Sequence, residues 1–169
     1  MLSIYPDAYF NKVEEITIQF LLKNKIKSLI LDMDNTLINY KQEMPKEIEI
    51  WLKELKGQGI KLYILSNTNN KEKILKVANK LEIPYKKFAK KPLKSGFLKV
   101  QKELKHEPKQ IAVVGDQIFT DIIGGNRCGM FTILVDAIDE KDFWYTAWKR
   151  PIETKIKEKI KKQQIKENK

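Results

Sequence analysis

The chain has 169 residues, 42% of them hydrophobic and 33% charged, which suits one soluble domain with a real core and excludes a disordered chain. Its net charge of +11 is carried almost wholly by lysine, Arg127 and Arg150 being the only arginines; arginine is the residue of bidentate base and phosphate recognition, so no specific nucleic-acid binding is expected. No apolar run nears the ~18 to 20 residues that span a bilayer, MLSIYPDAYF lacks the basic-then-apolar order of a signal peptide, and Cys128 is the only cysteine, so the expectation is a cytoplasmic protein without disulfides.

In chain order, a first helix is expected over Lys12–Leu22, then an aliphatic strand at Ser28–Asp32. Pro45 opens a helix in which Ile48, Trp51, Leu52 and Leu55 recur at helical spacing, and Gly57 closes it. Ile60–Leu65 is a strand, Asn70–Leu81 a helix, Pro84–Ala89 a short strand and Ser95–Lys105 a helix. Ile111–Gly115, Thr120–Arg127 and Phe131–Val135 complete the pattern as strand, helix and strand. Repeated strand–helix alternation predicts an α/β fold: a single Rossmann-like, doubly wound parallel sheet of about five strands with helices on both faces. Continuous aliphatic runs fit strands covered on both sides.

Ligands in such folds bind beyond the carboxyl ends of the strands. That edge collects Asp32 and Asp34 after the first aliphatic strand, Ser66, Asn67 and Thr68 after the second, Lys90 and Lys91 after the third, and Gly115 and Asp116 after the fourth. Acids brought together repel and need a cation. Oxygen ligands without His or Cys suit a hard ion, which makes Mg²⁺ the expected cofactor. A metal, an ammonium and a hydroxyl form a pocket for a phosphoryl group. One carboxylate there can attack phosphorus, and a second, two residues on, can move the leaving group's proton.

Asp32-Met33-Asp34-Asn35-Thr36 resembles the DxDxT signature of the haloacid dehalogenase (HAD) superfamily of phosphatases. Leu65-Ser66-Asn67 resembles its second motif, Lys91 in AKKPLKSGF its third, and Gly115-Asp116 through Asp121 its fourth, GDxxxxD, all in the family order across Lys27–Val135. The finer likeness is to the capless subclass IIIA and its mitochondrial-type phosphatidylglycerophosphatase branch. The resemblance implies Asp32 as nucleophile and metal ligand, Asp34 as general acid/base with its carbonyl on Mg²⁺, and Asp116 as the third ligand. It implies Asp121 acting from behind the ligands, Thr36, Ser66 and Asn67 on the phosphoryl group, and Lys91 as the lysine that neutralises it. Lys90 and Lys94 compete for that last role, and the proline after Lys91 favours Lys91.

A response-regulator receiver domain has similar chemistry but a different motif order, with its phosphoacceptor after the third strand. A third class is a scaffold that keeps the fold without turnover and binds a GTPase or ribosome-assembly partner. His106, the only histidine, sits in the polar loop KHEPK, so a Ser-His-Asp hydrolase is not expected. Leu37–Lys46 leaves room for a flap only, so no cap domain is expected. An open site suits a bulky phosphate ester, unless a second copy or a protein partner closes it. The catalytic domain is expected over residues 1–148. Residues 149–169 form a basic segment of net charge +6. Ile152, Ile156 and Ile160 mark one helical face there, with Trp144, Tyr145 and Trp148 just before it. Two readings stand open for it: a helix lying on anionic lipid at the inner face of the membrane, or a helix docked on the sheet.

Overall fold

The computed structural model describes residues 3–139, 151 and 154–160. The chain runs through β1 (Ala8–Phe10), α1 (Ile18–Lys23), β2 (Ser28–Leu31), α2 (Lys46–Gly57), β3 (Lys61–Leu65), α3 (Lys71–Leu81), β4 (Tyr85–Lys86), α4 (Lys94–Leu104), β5 (Ile111–Gly115), α5 (Ile123–Arg127) and β6 (Phe131–Val135). All six strands are parallel, in the order β1-β6-β5-β2-β3-β4.

The alternation of side chains along each strand divides the core. Leu29, Leu31, Leu62, Ile64, Ala112 and Val114 turn to the face covered by α1, α2 and α3. Ile30, Tyr63, Leu65, Ile111 and Val113 turn to the other, against Phe97, Val100 and Leu104 of α4. Close packing there depends on Gly124, at which a Cβ would overlap the Phe97 ring. A larger residue would have to push α5 off α4, an overpacking cost of about 1–3 kcal/mol.

Three elements differ from the sequence expectation. A sixth strand, β1, joins the edge beside β6; three residues carry too short a pattern to be read alone. It makes the strand before the paired acids the second in the chain, not the first. The expected helix over Lys12–Leu22 is broken in two. Val13–Glu15 is a 3₁₀ turn, Ile16 is extended, and α1 begins only after Thr17, whose hydroxyl accepts the Phe20 N–H. A Thr cap stabilises a helix start by about 1 kcal/mol and so competes with a helix running through it. The third aliphatic strand shrinks to two residues.

Residues 154–160 are helical, and Ile156 and Ile160 are buried with Tyr9, Ile118, Ile122 and Leu134. Lys157 Nζ sits 2.7 Å from Asp136 Oδ1. Trp144, Tyr145, Trp148 and Ile152 lie outside the described residues. Among the described residues no helix is long and apolar enough to cross a membrane.

Candidate active site

The chain leaves β2 toward β3 and β4 on one side of the sheet, while β5 and β6 lie on the other. The order therefore reverses between β2 and β5, and a crevice opens where their carboxyl ends diverge. Asp32 stands just past β2, held in register by its N–H donating to the Val114 carbonyl at 2.9 Å. Asp116 stands just past β5. The switch point thus brings two acids together that are distant in sequence.

Lys91 joins them. Its side chain is only 3% exposed, and its Nζ donates to Asp32 Oδ1 at 2.5 Å and to Asp121 Oδ1 at 2.7 Å. Asp121 is held from behind, with Oδ2 accepting the Gln117 N–H at 3.3 Å. Its carboxylate lies so close to the end of β5 that a Cβ at Gly115 would overlap it, which accounts for the glycine of the Gly115-Asp116 pair. Thr36 Oγ1 donates to Asp116 Oδ1 at 3.2 Å. Asn67, expected to touch substrate, has its amide bonded at both ends to the Lys91 backbone: Oδ1 accepts the Lys91 N–H at 2.7 Å and Nδ2 donates to its carbonyl at 3.1 Å. The task visible in this geometry is to hold Lys91. Ser66 is buried, its Oγ accepting the Thr68 N–H at 3.1 Å, which leaves the hydroxyl proton for another acceptor.

The three candidate lysines separate clearly. Lys90 is exposed with its ammonium 5.1 Å from the Phe88 ring centre, and Lys94 is exposed on the first turn of α4. Only Lys91 reaches the acids. Asp34 stands at the mouth, its side chain 44% exposed, and is paired with Lys73 Nζ from the first turn of α3. Lys73 was not legible in the sequence, where one lysine among many carries no signal. His106 Nδ1 contacts Ser28 Oγ at the start of β2, roughly 13 Å along the strand from Asp32 at ~3.3 Å per residue.

Electrostatics make the site a metal-binding candidate. Burial and the Asp121 charge push the Asp32 carboxyl up to about 6 against the pull of Lys91. Burial, Asp32 and Asp121 hold Asp116 well above the usual carboxylate range. Burial pulls the Lys91 ammonium down, but Asp121 and Asp32 outweigh it and raise it above its ordinary value. One carboxylate oxygen from each of Asp32, Asp116 and Asp121 lies within 4.8 Å of the others. Three acids, Asp32 and Asp121 buried and Asp116 partly so, against one ammonium leave a negative excess that a divalent cation fits.

This has a measurable consequence. The raised Asp32 and Asp116 keep protons in the folded state that the unfolded chain has lost. Their contribution to stability is full below the unfolded value near 3.8 and is lost as pH rises through about 6 for Asp32. A cation must displace those protons, so it binds better as pH rises. The rise in Tm on adding Mg²⁺ is expected to be larger at about pH 7.5 than at about pH 5; equal shifts by scanning calorimetry would count against these acids as ligands.

Nothing is inserted between Asp34 and α2 beyond a loop, or between Asn67 and Lys91 beyond α3 and β4, so neither place holds a cap domain. This fold with this site defines a phosphoric monoester hydrolase of the HAD superfamily, without a cap. More narrowly, the chain belongs to the mitochondrial PGP phosphatase family, whose model matches residues 2–139. It is 34% identical over 159 residues to the probable phosphatase YqeG of Bacillus subtilis (strain 168), a match covering 93% of this chain and 91% of that relative. A solved protein of Listeria monocytogenes serotype 4b is similar with a TM-score of 0.56 at 22% identity, over 70% of this chain and 85% of its own. The cobalt-bound deoxy-D-mannose-octulosonate 8-phosphate phosphatase of Haemophilus influenzae is similar with a TM-score of 0.53 at 19% identity, over 68% and 71%. At these identities the two structures speak to the fold alone.

Proposed function

We propose that the chain is a Mg²⁺-dependent phosphatase that works through an aspartyl phosphate, and that its substrate is a lipid phosphate such as phosphatidylglycerophosphate. The carrying observation is the Lys91 bridge from Asp32 to Asp121, with Asp116 beside it, at an uncapped strand edge. The family description supports the substrate class. An open mouth suits a headgroup presented on a large assembly.

Asp32 and Asp116, with the Asp34 carbonyl, would hold Mg²⁺, which when bound supplies neutralising charge for the phosphoryl oxygens. An Asp32 oxygen attacks phosphorus; the bond to the ester oxygen breaks, and Asp34 gives that oxygen its proton. Water then attacks the same phosphorus, Asp34 takes the water's proton, and the bond to Asp32 breaks to release phosphate. Lys91 keeps Asp32 ionised and aimed; Ser66 and Thr36 offer hydroxyls to the phosphoryl oxygens. The cytoplasmic face of the membrane is the corresponding location. All the acids of the site and its lysine are present, which speaks against a scaffold without turnover.

The test is hydrolysis by purified protein with Mg²⁺ and with EDTA, across phosphatidylglycerophosphate, sugar phosphates, nucleotides and phosphopeptides. Release of phosphate from the lipid, abolished by chelation, is the expected result. Full activity in EDTA, or a preference for a soluble metabolite, defeats the proposal. Lys73 provides a finer check. Because it pairs with Asp34, Lys73→Ala should slow an alkyl phosphate by about tenfold, below the ~10²–10⁴ of the whole proton transfer. An activated aryl phosphate, whose leaving group needs no proton, should be little affected; equal losses on both would argue that Lys73 does not act through Asp34.

A further inference from the structure

The loop that delivers Lys91 also carries side chains that the chemistry does not use. From Phe88 to Leu93 its residues alternate. Ala89 and Lys91 are buried, while Phe88 is 55% and Leu93 49% exposed, and Lys90 is exposed between them. Neither Phe88 nor Leu93 belongs to a packed cluster of the core. The loop is not loosely held. The Phe88 N–H donates to the Thr68 carbonyl at 2.9 Å, the Ala89 N–H to Ser66 at 3.0 Å and the Leu93 N–H to Lys90 at 2.9 Å. Phe88 and Lys90 both take left-handed backbone, at φ 50° and 55°, an uncommon conformation for residues with side chains and one that concentrates at functional sites. A firmly anchored loop thus holds a ring and an aliphatic group in solvent at the edge of the active site.

Single exposed apolar residues are ordinary. What sets these apart is the charge around them. Residues 83–102 contain seven lysines and no acid, and Lys91 alone of those seven is buried. The Lys90 ammonium lies 5.1 Å from the Phe88 ring centre, and Lys87 Nζ donates to Asn69 Oδ1 at 3.4 Å. Apolar tips interleaved with ammonium groups that form no ion pair among the described residues match the boundary of an anionic bilayer, where rings sit at headgroup depth and lysines meet phosphates. The basic C-terminal segment offers less: its Ile156 and Ile160 are already packed into the fold.

We propose that the Lys87–Lys94 loop is the surface by which the protein docks on anionic lipid, with Phe88 and Leu93 entering the interface and Lys87, Lys90 and Lys94 facing the headgroups. This rests on the lipid-phosphate reading above and adds the contact that presents the site to its substrate. Lys91 lies in the same loop, so docking faces the Asp32 crevice toward the headgroup layer.

The experiment is flotation of the full chain with vesicles of phosphatidylcholine, with and without phosphatidylglycerol, at low and physiological salt. The protein should float with the anionic vesicles only, and less as salt rises. The double variant Phe88→Ser/Leu93→Ser should lose binding by about tenfold or more while keeping soluble aryl phosphate turnover, as expected when apolar anchors are removed from a surface-bound protein. Lys87→Glu/Lys90→Glu should lose binding as strongly and decides the matter if the first variant does not fold. No flotation of the wild type, or flotation of a folded variant equal to it, overturns the proposal. Hydrolysis of phosphopeptides without flotation would point to a protein substrate instead. Flotation does not require turnover, so a protein that docks through this loop yet leaves lipid phosphate intact would defeat the substrate assignment and not the docking surface.

Discussion

Asp32→Asn is expected to remove turnover by at least on the order of 10⁴-fold, the scale on which covalent catalysts lose rate when the nucleophile is deleted. The amide is neutral and a poor nucleophile toward phosphorus, and it is a weaker ligand for a divalent cation. Folding should survive. Asp32 is buried with a carboxyl raised to about 6, so the ionised form is under strain from burial and from Asp121, and an isosteric amide relieves it. The variant is therefore expected to be at least as stable as the wild type near neutral pH without metal, and dead. Measuring kcat with an aryl phosphate alongside Tm separates the two effects. A variant that kept more than about a hundredth of the wild-type rate would exclude Asp32 as the attacking group, since positioning and charge alone account for a remainder of that order at most.

Legibility in the sequence followed physical isolation. Asp32 and Asp34 stood out because acids ending an aliphatic run have no packing role, and Gly115-Asp116 repeated the signal one strand over. β2, β3, β5 and β6 were readable because burial on both faces forces uninterrupted aliphatic runs. The edges were less so: β1, with three residues, was missed, and β4, expected over Pro84–Ala89, has only two; both depend on neighbours brought by the fold. Thr17 shows a local signal overruling a pattern, since its cap starts α1 where the apolar periodicity alone ran straight through. Lys73 was invisible for a different reason. Its meaning lies in a contact with Asp34 across thirty-nine positions of chain, and composition hides it among similar residues. Asn67 was expected on the phosphoryl group from the likeness of Leu65-Ser66-Asn67 to the family's second motif; the two bonds to the Lys91 backbone are visible only in the folded loop.

Lys91→Met should be the most destabilising single change at the site, and its effect should depend on pH. The ammonium is 3% exposed and is the cation bonded to both Asp32 and Asp121. Removing one partner of a buried ion pair costs about 3–5 kcal/mol, because the other charge is left uncompensated. At two to four degrees per kcal/mol for a chain of this size, Tm should fall by roughly 10 °C at neutral pH without metal. The acids can escape by taking up protons. Without Lys91 pulling Asp32 down, the carboxyls rise further, so the folded variant holds protons that the unfolded chain lacks over a wider range. Its deficit relative to the wild type should then shrink as pH falls toward 5 and grow as pH rises, with saturating Mg²⁺ restoring part of it at the higher pH. Turnover should drop by roughly 10²–10³ even in the metal-loaded variant, since a fixed positive charge beside the transferring group is gone. Scanning calorimetry across pH, with and without metal, reads the first effect and steady-state kinetics the second. A variant with wild-type Tm at neutral pH and a flat difference across pH would show that the ammonium does not hold the acids together, whatever became of the rate.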